Sequence, residues 1–334
     1  MTARWGITFP LEGVPLSDHR DILQEAEALG YTDAWTFEVN GTDAFVPIAA
    51  AAAWTEGMRF GTAIANVFTR TPMLLAMSAA GVAEAAPGRF CLGVGASSPA
   101  IVERWNGVAL ERPLGRIRDT VTLLRQLLAG EKVSMKTGSF EVQGARLAHP
   151  PVPPPPIYVA ALRERMLALA GSLADGVIIN WLSPDDVPKV VAVAKDAARA
   201  AGKDPDALDV VCRIFVIPTP DANVARMMGR LIVSAYLTTP FYYAFHEWLG
   251  RGPALRPMME AWTAGDRRGA LPLVPEQVIE DVLVYGDRQQ CLDKIEAYCR
   301  NGVATPVINI IPTSQDPKQQ AAQSLAAVRE LAPR

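Results

Sequence analysis

Histidine and cysteine, two residue types that often bind metals, are scarce in this 334-residue chain. The three histidines, His19, His149 and His246, are far apart in the sequence. No two of the four cysteines have the Cys-x-x-Cys spacing of a zinc site. We therefore expect neither a protein metal centre nor a disulfide framework.

An excess of positive charge is also missing. The chain has 32 Lys and Arg against 35 Asp and Glu, a net charge of −3, which gives no basic field for nucleic acid. The longest apolar run, residues 44–54, has 11 residues and contains Pro47, whereas a membrane span needs about 20. The first residues lack a basic stretch followed by a long apolar one, so we expect no signal peptide and a cytoplasmic location.

What the chain does contain is an alternation of short apolar runs and helical patterns. A parallel sheet with helical crossovers produces this alternation, which favours a (β/α)₈ TIM barrel. We predict one domain over residues 1–334, with insertions after strand four and between strands seven and eight. A doubly wound sheet is the alternative fold, but no Gly-x-Gly-x-x-Gly follows the first strand. The predicted strands are residues 5–9, 33–37, 58–64, 89–94, 157–160, 176–179, 210–217 and 306–311.

Functional residues of such barrels follow the carboxyl ends of the strands. This rule selects Glu38 after strand two, Asn66 after strand three, and residues 95–98 after strand four. It also selects residues 161–164 after strand five, and Asn180 and Trp181 after strand six. The set is poor in acids and bases and contains no histidine. It suits an organic cofactor that brings its own reactivity.

Several segments resemble the luciferase-like family of flavin and deazaflavin oxidoreductases over nearly the whole chain. They are residues 26–35, 61–64, 174–180 and 285–303, together with Gly-Arg-Phe-Cys-Leu-Gly-Val-Gly at residues 88–95. Residues 97–107 resemble the branch that uses the deazaflavin coenzyme F420. The resemblance implies reversible hydride transfer between the C5 atom of F420 and an organic substrate of the ketone, alcohol or enone class. It also implies a homodimer.

Two other functions stay open. One is an FMN-dependent monooxygenase supplied with reduced flavin by a reductase, and the other is a non-catalytic flavin-binding protein. A monooxygenase of the family often uses a histidine to stabilise its peroxyflavin. No histidine of this chain falls at a predicted strand end, which favours the deazaflavin function.

The resemblance also implies a set of site residues. Glu38 is the predicted catalytic residue. Sugar-phosphate dehydrogenases of the family have an Asp-His pair after strand two, where this chain has Glu38 and Val39. They also have a glutamate in the strand-four loop, where this chain has Ser98. Both differences argue against sugar-phosphate oxidation. The predicted cofactor contacts are Ala63, Ile64, Asn66, Gly95, Ala96, Ser97, Ser98, Ala160, Ala161, Leu162, Arg163, Glu164, Asn180 and Trp181.

Three finer expectations follow. A helix that begins near Arg163 should bind the cofactor phosphate through the backbone amides of Leu162, Arg163 and Glu164, because a helix N-terminus carries roughly half a positive charge. The resemblance implies a cis peptide bond between Ala63 and Ile64. The pocket walls should be apolar and bind an apolar substrate; the aromatic candidates are Trp105, Phe241, Tyr242, Tyr243, Phe245 and Trp248.

Overall fold

Eight parallel strands close into a barrel in the computed structural model, which describes residues 4–333. Each strand pairs with the next along the chain, and β8 pairs with β1, so the predicted (β/α)₈ barrel is confirmed. The strands are β1 (Gly6–Thr8), β2 (Asp33–Thr36), β3 (Arg59–Thr62), β4 (Phe90–Gly95), β5 (Ile157–Ala160), β6 (Gly176–Asn180), β7 (Asp209–Val216) and β8 (Thr305–Ile310).

Helices follow the strands and cover the outside of the barrel. Their starts carry the expected signals: Thr71 accepts from the Leu74 amide before Pro72, and Asp287 forms a capping box with Gln290. The helices are α1 (His19–Ala28), α2 (Val46–Ala52), α3 (Pro72–Ala85), α4 (Pro113–Leu128), α5 (Glu164–Leu173), α6 (Val187–Ala200), α7 (Ala222–Leu237), α8 (Pro240–Trp248), α9 (Gly252–Thr263), α10 (Arg267–Ala270), α11 (Glu276–Val282), α12 (Arg288–Arg300) and α13 (Pro317–Glu330).

Both predicted insertions are present. After β4 the chain forms a π-helical segment, Ala100–Trp105, and after α4 an antiparallel hairpin of Val133–Lys136 and Glu141–Ala145. Between β7 and β8 lie α7 to α12 and a two-residue strand, Leu283–Val284, that extends the sheet beside β7. The pattern did not predict that strand, because two residues are too short to show a period. In residues 4–333, every helix is too short or too polar to cross a membrane.

Strand three differs in detail from the prediction. It ends at Thr62 and resumes as Ala65–Asn66, which pairs with β4. The peptide bond between Ala63 and Ile64 lies in this interruption and is cis, as predicted.

A network of charged groups fills the amino end of the barrel, here called the floor. Arg59 on β3 donates to Asp33 Oδ1 at 2.5 Å and to Asp209 Oδ2 at 2.9 Å. Its guanidinium also donates to the hydroxyls of Tyr158 and Thr305, at 3.2 and 3.0 Å. The buried Asp33 and the half-buried Asp209 thus both pair with this cation, and the network ties together five strands of the barrel.

Candidate active site

A cleft of about 790 Å³ opens at the carboxyl ends of the strands. One side is made of strand ends and of the turns that follow them. The other side is made of α7, α8 and the segment after β4. The insertions therefore convert an ordinary barrel mouth into a deep, mostly apolar site.

Most of the predicted site residues lie together in this cleft. The two that do not line it are Asn66 and Trp181. The lining includes Glu38, Ala63, Ile64, Gly95, Ala96, Ser97, Ser98, Ala160, Ala161, Leu162, Arg163, Glu164 and Asn180.

Asn66 and Trp181 are buried behind the lining. The Asn66 side-chain oxygen accepts from the Phe68 amide, which holds the side chain in the turn. Trp181 has a φ of +55°, and its ring packs 4.4 Å from the rings of both Phe215 and Tyr236. Both residues therefore pack behind the cleft wall, and their contact with a cofactor stays a prediction.

Neighbouring residues donate hydrogen bonds to both carboxylate oxygens of Glu38. One oxygen accepts from both Nε and Nη2 of Arg70, at 2.7 and 2.5 Å, and from the Ala44 amide at 3.3 Å. The other oxygen accepts from the Asn66 amide at 3.0 Å. Glu38 thus fixes the end of β2 against the segment that follows the cis peptide bond.

The end of β4 forms the closest-packed part of the cleft wall. A side chain at Gly93 would overlap the Thr62 carbonyl, and a Cβ at Gly95 would lie 3.0 Å from Ile64 and 3.2 Å from Ala160. Ser97 then turns the chain with a φ of +62°. This explains Gly93 and Gly95 of the 88–95 motif, because neither position has room for a side chain.

The start of α5 also faces the cleft. Arg163 is its N-cap residue, and an arginine side chain has no acceptor for the amides of the first turn. The Met166 amide donates to the Arg163 carbonyl at 3.0 Å, so the Glu164 and Arg165 amides are the ones that keep their capacity to bind an external acceptor. The exposed Glu164 follows as the first residue of the helix.

Aromatic side chains form the opposite wall. Of the predicted set, Trp105, Phe241, Tyr242 and Trp248 line the cleft. Phe245 is buried in the main core, and Tyr243 packs against a second apolar cluster that includes Trp181 and Phe215. Burial raises the pKa of Tyr242 to about 12, so the phenol is protonated at neutral pH. Its hydroxyl lies 3.5 Å from the Asn180 amide oxygen and 3.3 Å from the amide nitrogen.

His246 has no part in this wall. It is fully buried on α8, and burial lowers its pKa to about 3, so the ring is neutral. Among the described residues, none of those that line the cleft is a histidine. Within residues 4–333 no group of His, Cys, Asp and Glu side chains is arranged to hold a metal ion.

The strand-end rule missed Arg213, which lies within β7 and lines the cleft. Its guanidinium donates to the Ala63 carbonyl at 3.3 Å and to Asn309 Oδ1 at 2.8 Å. It stacks on Phe37, 4.7 Å from the ring centre. The sequence signal is an arginine at an inward-facing position of an otherwise apolar strand.

Comparisons with known proteins agree with this architecture. The profile of the luciferase-like monooxygenase family matches residues 5–305. A 5,10-methylenetetrahydromethanopterin reductase from Archaeoglobus fulgidus is 30% identical over 320 residues, covering 93% of this chain and 95% of the relative.

Solved structures of similar shape were also found. A coenzyme F420-dependent tetrahydromethanopterin reductase from Methanopyrus kandleri superposes with a TM-score of 0.80 at 24% identity, covering 99% of both chains. An F420-dependent secondary alcohol dehydrogenase, in complex with an F420–acetone adduct, superposes with a TM-score of 0.78 at 19% identity over all of both chains. The chain therefore belongs to the luciferase-like monooxygenase family, as its sequence segments indicated.

Proposed function

We propose that this protein transfers a hydride between coenzyme F420 and an organic substrate of the ketone, alcohol or enone class. The observation that carries the proposal is the cleft itself. Its cofactor side is built from backbone, glycine and small side chains, and no histidine among the lining residues could serve a peroxyflavin. The relatives named above that use F420 support the same cofactor.

The chain's residues fit such a cofactor. The Glu164 and Arg165 amides at the start of α5 suit a phosphate, because they are unpaired donors at the positive end of a helix dipole. The close-packed wall at Gly95 and Ile64 leaves a smooth surface for a flat ring system. Bound F420 supplies the carbon that gives or accepts the hydride.

The remaining residues position the reactants. We propose that Glu38 acts through Arg70 and the Asn66 amide to hold the wall segment around Ile64, and that the cofactor contacts this wall. Tyr242 and Asn180 present a hydroxyl and an amide that suit a substrate oxygen. The aromatic wall excludes water from the apolar remainder of the substrate.

A titration with each cofactor tests the proposal. Trp105 and Trp248 line the cleft, so a bound chromophore should quench tryptophan fluorescence. We expect saturable quenching with F420 and weaker binding of FMN. Tight FMN binding together with an absence of F420 binding would favour the monooxygenase function. Turnover of reduced F420 with any ketone or enone would exclude a non-catalytic binding protein.

Glu164 offers a test of the phosphate position. Its charge lies in the first turn of α5 and would oppose a bound phosphate, so Glu164→Gln should tighten F420 binding by about two- to fivefold, the size of one charge at a helix end. The exposed Glu131 is the matched control, because it lies away from the cleft and Glu131→Gln makes the same charge change. Unchanged affinity in Glu164→Gln would place the phosphate elsewhere.

The homodimer and the cytoplasmic location stay predictions. Exposed apolar side chains on α2 and α3, Val46, Leu74 and Met77, are candidates for a subunit contact. Light scattering on the purified protein would measure the oligomeric state. A monomeric mass would exclude the dimer.

A further inference from the structure

Arg213 spans the centre of the barrel mouth. It comes from β7, and its guanidinium reaches the Ala63 carbonyl at the end of β3, the strand on the opposite side of the barrel. Phe37 and Phe215 lie against the guanidinium, at 4.7 and 5.6 Å from the ring centres. Arg213 is therefore placed to contact a molecule that fills the middle of the cleft.

The hydrogen bonds of Arg213 leave much of its capacity unused. Its partners are one backbone carbonyl and one amide oxygen. Among residues 4–333, the buried Nε atom has no hydrogen-bond partner. Within residues 4–333 no carboxylate forms an ion pair with it. An arginine supplies several donors in a planar fork that suits two oxygens or a delocalised anion.

The charge of Arg213 persists despite its surroundings. Burial lowers the pKa of the guanidinium, but a group that starts above about 12 stays protonated in proteins. The nearby Tyr242 phenol cannot balance it, because burial raises the pKa of this phenol to about 12 and keeps it protonated at neutral pH. A cation held this way, with neutral partners only, is expensive unless a ligand supplies negative charge.

We propose that Arg213 binds the oxygen anion that forms when a molecule in the cleft accepts a hydride. The inference rests on the proposed hydride transfer. The C–H bond of the donor breaks and its electron pair leaves with the hydride, while a lone pair on the donor's oxygen or nitrogen forms a new double bond and the proton on that atom goes to solvent. A bond forms to the acceptor carbon, and the displaced π pair moves onto an oxygen of the acceptor. That oxygen then takes a proton from solvent. The acceptor is either the F420 ring or the substrate carbonyl, depending on the direction of the reaction.

Two variants test the unpaired charge: one removes it and the other pairs it. Arg213→Met keeps an apolar stem and removes the cation. Asn309→Asp keeps Arg213 and places a carboxylate where an amide oxygen already accepts at 2.8 Å, so the guanidinium gains an internal counter-ion. Arg199→Met is the control for net charge, because Arg199 is an exposed residue on α6 away from the cleft.

The first arm measures the affinities of oxidised and reduced F420 by fluorescence. If the cofactor ring carries the anion, both site variants should bind reduced F420 roughly ten- to hundredfold more weakly, the size of a lost charge-assisted hydrogen bond. Binding of oxidised F420 should change by less than about threefold, and Arg199→Met should match the wild type on both forms.

The second arm uses benzoate and benzamide as a charged and a neutral probe of equal shape. If the substrate oxygen carries the anion, wild-type protein should bind benzoate more tightly than benzamide at constant ionic strength. Arg213→Met and Asn309→Asp should abolish that preference while both forms of F420 bind normally. If Arg213→Met does not fold, Asn309→Asp carries both arms.

The proposal is overturned if neither variant changes the affinity for reduced F420 or the preference for benzoate. A failure of the proposed function looks different, because wild-type protein would then bind no F420 at all. The benzoate titration needs no cofactor, so in that case it still decides whether Arg213 is an anion site.

Discussion

Each end of the barrel has an interior arginine, and the two arginines differ in whether carboxylates pair with them. At the floor, Arg59 contacts two carboxylates and two hydroxyls. At the mouth, Arg213 contacts a carbonyl, an amide oxygen and the face of Phe37. The same side chain is thus a neutralised crosslink at one end and an unbalanced cation at the other.

The absence of a counter-ion is specific to Arg213, because other charged groups at the mouth are paired. Glu38 also lies there, and Arg70 and two backbone amides occupy both of its oxygens. The fold therefore does pair charges in the cleft wall where they hold structure. A charge that is left unpaired in the same region has the character of a functional group.

The largest effect should come from the floor. Arg59→Met leaves the buried Asp33 and the half-buried Asp209 without their main partner, so we expect the free energy of unfolding to fall by about 3–5 kcal/mol. Urea unfolding measures this loss. Arg4→Met is the control: Arg4 also pairs with Asp33 but its side chain is 37% exposed, so its removal should cost about 1 kcal/mol or less. Equal losses in both variants would contradict a structural role special to Arg59.

A smaller loss should follow from unpairing the mouth carboxylate. Glu38→Gln keeps the shape but removes the charge that Arg70 contacts at 2.5 Å, so we expect about 1–3 kcal/mol less stability. F420 binding should weaken roughly tenfold, because the wall around Ile64 loses its support. Glu25→Gln removes a carboxylate from an exposed pair with Arg329 and should change neither quantity measurably. Normal stability and normal binding in Glu38→Gln would leave Glu38 without either role.

The sequence predicts the fold well because the barrel repeats one local pattern eight times. Each apolar run of residues and each capping signal can be detected without knowing its neighbours, and the strands appear where the runs are. The residues after each strand end could be assigned to the mouth for the same reason. The direction of a side chain could not, since Trp181 follows β6 as predicted but turns inward with a positive φ.

The hydrogen-bond partners of side chains across the barrel could not be predicted from the sequence. The partners of Arg213 come from the ends of β3 and from β8, residues that lie 150 and 96 positions away. The sequence shows an arginine in an apolar strand at both Arg59 and Arg213. Only the assembled barrel shows that carboxylates meet the first and not the second.

Giving the mouth arginine a counter-ion should make it resemble the floor. Asn309→Asp converts a neutral acceptor of Arg213 into a carboxylate at 2.8 Å, so we expect the free energy of unfolding to rise by about 1 kcal/mol. Urea unfolding at low ionic strength is the measurement, and the gain should shrink as salt screens the pair. A loss of stability would mean that the cleft already balances the guanidinium by other means.

The smallest effect should come from removing the mouth arginine itself. Arg213→Met takes away a cation whose partners, the Ala63 carbonyl and Asn309, line the mouth side of the barrel and can reach water once the guanidinium is gone. No carboxylate is left unpaired, and the desolvation penalty of the cation is relieved. The two lost hydrogen bonds and the relieved desolvation penalty are each worth about 1 kcal/mol and act in opposite directions. The free energy of unfolding should therefore change by less than about 1 kcal/mol in either direction. A urea titration beside Arg59→Met makes the comparison direct. A loss as large as that of Arg59→Met would show that Arg213 holds the barrel together, and the contrast between the two ends would fail.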